Sequence, residues 1–259
     1  MITYPLLVPL ALGYKLAKKR KILDVFYSIR SLPHGAPLRK GLRVANYKGS
    51  RILFPSSEDP AFDDVFLRDV YFPYKPKRDD VVVDIGAHMA FFTVKIARQV
   101  KKVVAFEPDP LNFSFMTFNI KNNDLTNVAA FDYALAGEKG FMFLKRGNYL
   151  RESRLTMSST EIRVKVRTLD DAMTELGTRP TMVKIDAEGY EMEILRGAER
   201  TLTQYRPSVM IASYHYRDEA RDIAGLLLGM DFTVFFYQSY LVLQRAKETY
   251  IYAVPSNRA

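Results

Sequence analysis

Residues 81–93 read VVVDIGAHMAFFT: a short apolar run, an acid, a glycine, and then residues suited to a helix. A continuous apolar run of this length suits a strand buried on both faces, as in a parallel sheet. Glycine at a strand-to-helix turn lets backbone approach a ligand closely, and the helix start beyond it offers unpaired N–H groups. Taken alone, such a turn is equally well a plain connection.

Four more runs of the same kind follow, KVVAF (102–106), VAAF (128–131), MVKI (182–185) and SVMIAS (208–213), each ending near a polar or small residue. Helical stretches lie between them. Asp109 followed by Pro110 is an N-cap and first-turn pair that opens a helix through about Asn122. Thr168 with Asp171 three residues on is an acidic version of a capping box. After Gly189, the residues Met192, Leu195, Ala198 and Leu202 recur at three- and four-residue steps and predict one apolar helix face. FMFLKR (141–146) and IRVKV (162–166) predict an inserted strand pair, and FTVFFY (232–237) with TYIYAV (249–254) an antiparallel closing hairpin. The expected fold class is α/β: an open, doubly wound, mostly parallel, Rossmann-like sheet of seven strands, with its ligand crevice beyond their carboxyl ends.

The chain has 259 residues, 48% hydrophobic and 26% charged, which suffices for a buried core and excludes disorder, collagen and coiled coil. The lack of cysteine excludes a disulfide scaffold, a thiolate nucleophile and Cys-ligated zinc. The net charge of +9 sits in one arm: residues 1–51 hold 11 Lys or Arg against one acid, Asp24, whereas residues 52–259 carry 27 bases and 28 acids. This divides the chain into a basic arm, 1–51, with an apolar start, and a domain, 52–259. The opening MITYPLLVPLALGY would reach roughly 20 Å as a helix, short of the ~30 Å hydrocarbon core, and Pro5 and Pro9 interrupt it. Its charges follow the apolar run, the reverse of a secretory signal. Two readings stay open for residues 1–21: an interfacial segment whose basic flank, Lys15 to Lys21, meets anionic lipid, or an arm packed on the body or a partner chain. The expected location is cytoplasmic, peripheral at a membrane under the first reading.

The second strand ends in Phe106-Glu107-Pro108, 23 positions after Asp84. An acid there is where a doubly wound sheet receives a nucleotide's ribose hydroxyls. NAD and S-adenosylmethionine both fit that much. A dinucleotide needs G-x-G-x-x-G to seat its pyrophosphate, and here Gly86 is followed two positions on by His88. The pattern favours a cofactor without a pyrophosphate, S-adenosylmethionine.

The third signal is KIDAEGYE (184–191) at the end of the MVKI strand. At this point the chain resembles the FkbM family of S-adenosylmethionine-dependent methyltransferases over roughly residues 52–215. The resemblance rests on VFLRDVYFPY, VVVDIGAHMAFFT, VVAFEPDPLNF with NIKNN following, VRTLD, and VKIDAEGYEMEILRGAERTL, in that order. It implies a cofactor bed in which Asp84, Gly86 and Ala87 line the methionine end and His88 is a further candidate contact. Glu107 would hold the ribose, Pro108 would lie near the adenine edge with Asp132 and Tyr133, and Asp186 would face the sulfonium and acceptor. Where the family usually reads D-x-G-A-N-x-G, this chain has His88 for Asn and Ala90 for Gly. Where the family often has a Glu two residues before a His, Ser213-Tyr214-His215 stands.

Methyl transfer to a hydroxyl needs alignment and a proton acceptor. The candidates are Asp186, Glu188 and His215. With an unperturbed pKa of about 6.5, His215 is the expected base, and Asp186 positions acceptor or cofactor. Blander roles stand beside these: a loop hydrogen bond for His88, no role for His34, dipole stabilisation for Glu191, pairing with a carboxylate for Lys184, and core packing for Phe91, Phe92, Phe113 and Phe115. Asp186, Glu188 and His215 have a spacing unlike common ligand motifs, so no metal is expected. The leading function is O-methylation of a sugar, glycan, lipid-linked or other small-molecule hydroxyl. An RNA substrate would use the basic arm, but D-A-E-G replaces the N-P-P-Y-type turn of base N-methylating enzymes, so nucleic acid is disfavoured. A non-catalytic scaffold with an altered cofactor turn is the rival from another class.

Overall fold

The computed structural model describes residues 42–145, 154–156, 162–240 and 247–256. The expectations for residues 1–21 and His34 lie outside these. The described chain begins with an antiparallel hairpin, β1 (Leu42–Tyr47) and β2 (Ser50–Pro55), turned at Lys48-Gly49, both at positive φ. β2 crosses the division drawn at residue 52, so the end of the arm is one strand of a hairpin whose other strand buries Ile52 and Phe54 in the core. Helix α1 (Asp59–Phe66) follows, and Phe62 stacks on Phe54 at 4.9 Å and on Phe66 at 4.5 Å.

The body then alternates: β3 (Val81–Ile85), α2 (Phe91–Ile96), β4 (Lys102–Phe106), α3 (Pro110–Asn122) and β5 (Val128–Phe131). An excursion of β6 (Ala134–Leu135), β7 (Gly140–Lys145), β8 (Arg154–Thr156) and β9 (Ile162–Arg167) leads to α4 (Leu169–Glu175). The chain returns through β10 (Met182–Ile185), α5 (Glu191–Arg196), α6 (Glu199–Tyr205), β11 (Ser208–Ala212), α7 (Glu219–Gly229), β12 (Phe232–Tyr240) and β13 (Lys247–Pro255).

The central sheet has seven strands in the order β12-β13-β11-β10-β3-β4-β5. β13 runs antiparallel to both its neighbours, and the pairings of β11, β10, β3, β4 and β5 are parallel. Alternation carries successive side chains into separate cores. Val82, Val103, Met182 and Met210 join the cluster on one face, Val83, Val104, Val183 and Val209 that on the other. The expected doubly wound sheet is therefore present, and chain order reverses between β3 and β10. A crevice at that switch point is where such sheets bind ligands.

Two expectations need correction. The inserted strand pair, β7 with β9, is the middle of a four-stranded sheet of order β6-β9-β7-β8. The flanking strands have two and three residues, too few to show alternation in sequence. The single helix expected from Met192 to Leu202 is two helices broken at Gly197. Asp170 causes the break from outside: its N–H donates to the Gly197 carbonyl, and its carboxylate accepts from the N–H groups of Arg200 at 2.9 Å and Thr201 at 2.7 Å, capping α6.

The hairpin is tied to the body by amides. Asn119 accepts from Leu53 N–H at 2.8 Å and donates to its carbonyl at 3.0 Å, and Asn123 does the same with Arg51 at 2.7 Å each. The match is geometric: four residues of helix rise about 6 Å, nearly the span of two residues of strand. The NIKNN stretch thus satisfies the backbone edge of β2, which would otherwise lack partners.

At Gly197 a Cβ would sit 2.1 Å from the Ala136 carbonyl oxygen. Gly197→Ala should therefore cost about 1–3 kcal/mol through overpacking, read from urea denaturation. Gly177→Ala, with no atom within 4 Å of its Cβ but a φ of +54°, should cost only the left-handed backbone strain.

Candidate active site

The cleft opens beyond the carboxyl ends of β3, β4 and β10. Of the expected cofactor residues, Gly86, Ala87, His88, Glu107, Pro108 and Tyr133 line it, and Asp186 and Glu188 form the wall on the β10 side. Asp84, Asp132 and His215 stand elsewhere.

Asp84 is fully buried beneath the turn. Its Oδ2 accepts from Thr93 Oγ1 at 2.6 Å, and its Oδ1 lies 3.0 Å from Lys184 Nζ. Lys184 also donates to the carbonyls of Gly86 at 2.8 Å and Ile85 at 3.3 Å. Asp84 therefore supports the turn through Lys184, and its carboxylate does not line the methionine end as expected. Asp132 is exposed and outside the cleft wall. Gly86 has φ +69°, and a Cβ there would lie 1.8 Å from the Asp186 carbonyl oxygen. The glycine is thus required by the approach of two strand ends as well as by any ligand.

Glu107 faces the cleft with its carboxylate fixed: Oε2 accepts from His88 N–H at 2.8 Å and Oε1 from Asp109 N–H at 2.9 Å. Burial pushes this carboxyl above its usual range, against the pull of His88 and the two amides. Each oxygen keeps a lone pair for a further donor. His88 and Ala90 both adopt left-handed conformations, φ +52° and +68°. These are the positions where the family pattern carries Asn and Gly, residue types that tolerate that region. The His88 ring rests against Phe91 and lies 3.4 Å from a carboxylate oxygen of buried Glu58. His88 thus serves both as a loop residue and as part of the cleft lining.

On the other wall, Tyr71 donates its hydroxyl to Asp186 Oδ2 at 2.7 Å. Burial and Asp186 hold the Tyr71 pKa well above 10, so it remains a donor. Tyr214 and Tyr250 line the same wall, their rings 5.3 Å apart. These tyrosines had no assignment from sequence, although Tyr71 falls in the VFLRDVYFPY stretch.

His215 lies behind that wall, its side chain 3% exposed. Nε2 is 3.8 Å from both Asp186 Oδ1 and Glu188 Oε2; Nδ1 is 3.3 Å from Glu191 Oε1 and 3.6 Å from Glu219 Oε2. The separations are those of ion pairs, and neither ring nitrogen makes a hydrogen bond. Burial pulls the His215 pKa down, but Glu191 and Glu219 with Asp186 outweigh it and raise it to about 11. An imidazolium has no lone pair for a proton, so the reason for choosing His215 as the base fails in this structure. The Glu–His couple that the sequence lacks at position 213 is supplied by Glu191 and Glu219. Glu191 also accepts from Ala187 N–H at 2.8 Å, and Glu219 from His215 N–H at 2.7 Å.

Two outcomes test these assignments. Lys184→Met strands the Asp84 charge and should cost about 3–5 kcal/mol in urea denaturation, whereas the double change Lys184→Met with Asp84→Asn should cost clearly less. In metal-free buffer the raised His215 pKa contributes stability that is complete below the unfolded value near 6.5 and is lost as pH climbs toward 11. The stability advantage over His215→Gln should therefore shrink between about pH 7 and about pH 10.

No helix among the described residues is long and apolar enough to cross a membrane. A protein named Methyltransferase 1 from Beauveria bassiana is 26% identical over 147 residues, covering 47% of this chain and 59% of its own length. Hexuronic acid methyltransferase AglP of Haloferax volcanii is 28% identical over 154 residues, covering 58% and 62%. The chain thus spans about three fifths of the length of these curated relatives. The crystal structure of a methyltransferase FkbM from Methylobacillus flagellatus superposes with a TM-score of 0.55 at 17% identity, over 74% of this chain and 47% of that one, a likeness of fold. The family model described as the methyltransferase FkbM domain matches residues 80–234, which carry the turn after β3, Glu107, the KIDAEGYE stretch and His215. The chain belongs to the FkbM methyltransferase family.

Proposed function

We propose that the protein is an S-adenosylmethionine-dependent O-methyltransferase acting on a hydroxyl of a sugar, glycan, lipid-linked or other small-molecule acceptor. The observation that carries this reading is the Glu107 carboxylate, held by two backbone amides at the cleft with acceptor capacity to spare. Such a pair of acceptor oxygens suits the two hydroxyls of a ribose diol, and each charge-assisted bond to it is worth about 1.5–3 kcal/mol. S-adenosylmethionine, when bound, supplies an electrophilic methyl group on a sulfonium that leaves as a neutral thioether.

Glu107 and Asp186 follow the strands on either side of β3, so Glu107 anchors one end of the donor while Asp186 and Glu188 meet the acceptor at the other. The acceptor oxygen loses its proton to one of these two carboxylates or to water as it gains the methyl group. Tyr71 fixes Asp186 so that Oδ2 is engaged and Oδ1 remains for the acceptor. His215, held as a cation, keeps the acids oriented and is a positioning residue in this scheme. A saccharide is favoured by the aromatic side chains that line the wall, Tyr71, Tyr214 and Tyr250, and by the hexuronic acid named for one relative. An RNA acceptor is opposed by Asp186 and Glu188, which repel phosphate at the place where it would enter.

Glu107→Gln should weaken S-adenosylhomocysteine binding by about ten- to a hundredfold in calorimetry, with thermal unfolding little changed. Undiminished affinity would remove the donor assignment. A panel of uronic and neutral sugar glycosides, assayed by mass spectrometry beside RNA, tests the acceptor: a methyl ether of a glycoside supports it, and methylation of RNA alone overturns it.

A further inference from the structure

We propose that Asp186, Glu188 and His215 form a binding site for a divalent cation of the Mg²⁺ or Mn²⁺ type at the acceptor end of the cleft. Sequence spacing gave no sign of it because two ligands come from the turn after β10 and the third from beyond β11. The fold brings Asp186 Oδ1, Glu188 Oε2 and His215 Nε2 within 4.8 Å of one another. Nε2 sits 3.8 Å from each oxygen, too far for a hydrogen bond, and makes none although the side chain is only 3% exposed. Bonds of about 2.0–2.6 Å to a hard cation set neighbouring ligand atoms roughly 3–4 Å apart, so the gap matches an ion without a change of fold.

Two of the three ligands, His215 and Asp186, already have an orienting partner. Glu191 and Glu219 lie against His215 Nδ1, which directs Nε2 at the two cleft acids, the arrangement in which a carboxylate steers a metal-binding imidazole. Tyr71 holds Asp186 Oδ2, leaving Oδ1 on the His215 side. Charge points the same way. Among the described residues, His215 is the cation that pairs with Asp186, Glu191 and Glu219, so one imidazole stands against several carboxylates. A divalent ion balances that excess better than the imidazole's proton, which it would displace. Two carboxylates with one imidazole suit Mn²⁺ or Mg²⁺ better than a thiolate-seeking metal.

The role assigned to the ion rests on the O-methyltransferase reading. Carboxylates are weak bases toward an alcohol. A hydroxyl bound to a cation gives up its proton more readily, and the proton leaves to water as the oxygen forms its bond to the methyl carbon.

The test is titration of Mn²⁺ into the chelator-treated full chain, with free Mn²⁺ followed by electron paramagnetic resonance. Saturable uptake of a single ion per chain is expected. Asp186→Asn and Glu188→Gln should each weaken it about tenfold or more, and Tyr71→Phe, which leaves the ligands in place but frees Asp186, by about tenfold. No uptake by the wild-type chain, or uptake unchanged in both cleft variants, overturns the site. S-adenosylhomocysteine binding is measured on the same samples. A chain that binds it but takes no Mn²⁺ overturns the ion site alone, and one that takes Mn²⁺ without it overturns the donor reading alone. If Asp186→Asn weakens S-adenosylhomocysteine and leaves Mn²⁺ untouched, that carboxylate serves the donor's ammonium group and the proposal falls.

Discussion

The contact between the turn after β3 and the end of β10 is the constraint on which the site depends. Gly86 leaves no room for a Cβ against the Asp186 carbonyl. Lys184, buried between the two strands, bonds to the Gly86 carbonyl and to the Asp84 carboxylate. Loss of either partner leaves a charge out of water without compensation, which costs several kcal/mol. The pair therefore does more for register than for net stability. It holds two parallel strand ends at one height, and Ala87, His88, Asp186 and Glu188 project into the same cleft as a result.

That constraint also explains why much of the fold was legible in the sequence. Strands buried on both faces must be almost wholly apolar, and VVVDI, KVVAF and MVKI are. The Asp109-Pro110 start of α3 was equally readable, because capping is a local event: the Asp109 side chain accepts from Leu111 N–H at 2.8 Å. What could not be read depended on distant partners. The break at Gly197 is imposed by Asp170 and by the Ala136 carbonyl, and the hairpin of β1 and β2 is held by two asparagines some seventy residues further on.

The same division runs through the site. The place of Glu107 in the cleft was legible because it follows directly from the end of β4. The role of Asp84 was misjudged because the sequence does not show Lys184 reaching across from β10. His215 shows the limit most clearly. Its chemistry was inferred from the ordinary pKa of histidine, but acids on both nitrogens raise that pKa, so the ring keeps its proton until another cation displaces it. The acids that alter it come from α5, α7 and the turn after β10, three places that only tertiary structure joins.

The electrostatics of the cleft differ between its two ends. Around Glu107 the polar partners are backbone amides, which orient a carboxylate without neutralising it, a setting suited to uncharged hydroxyls. Among the described residues, Asp186, Glu191 and Glu219 share one cation, His215. A positively charged sulfonium is drawn toward that end, and a polyanion is turned away from it unless a cation intervenes. The +10 charge of residues 1–51 thus has the opposite sign to the wall where an acceptor must stand. Basic residues that served a nucleic-acid substrate would be expected to continue into the cleft. At the described wall Asp186 and Glu188 stand instead, and carboxylates attract cations and repel a polyanion.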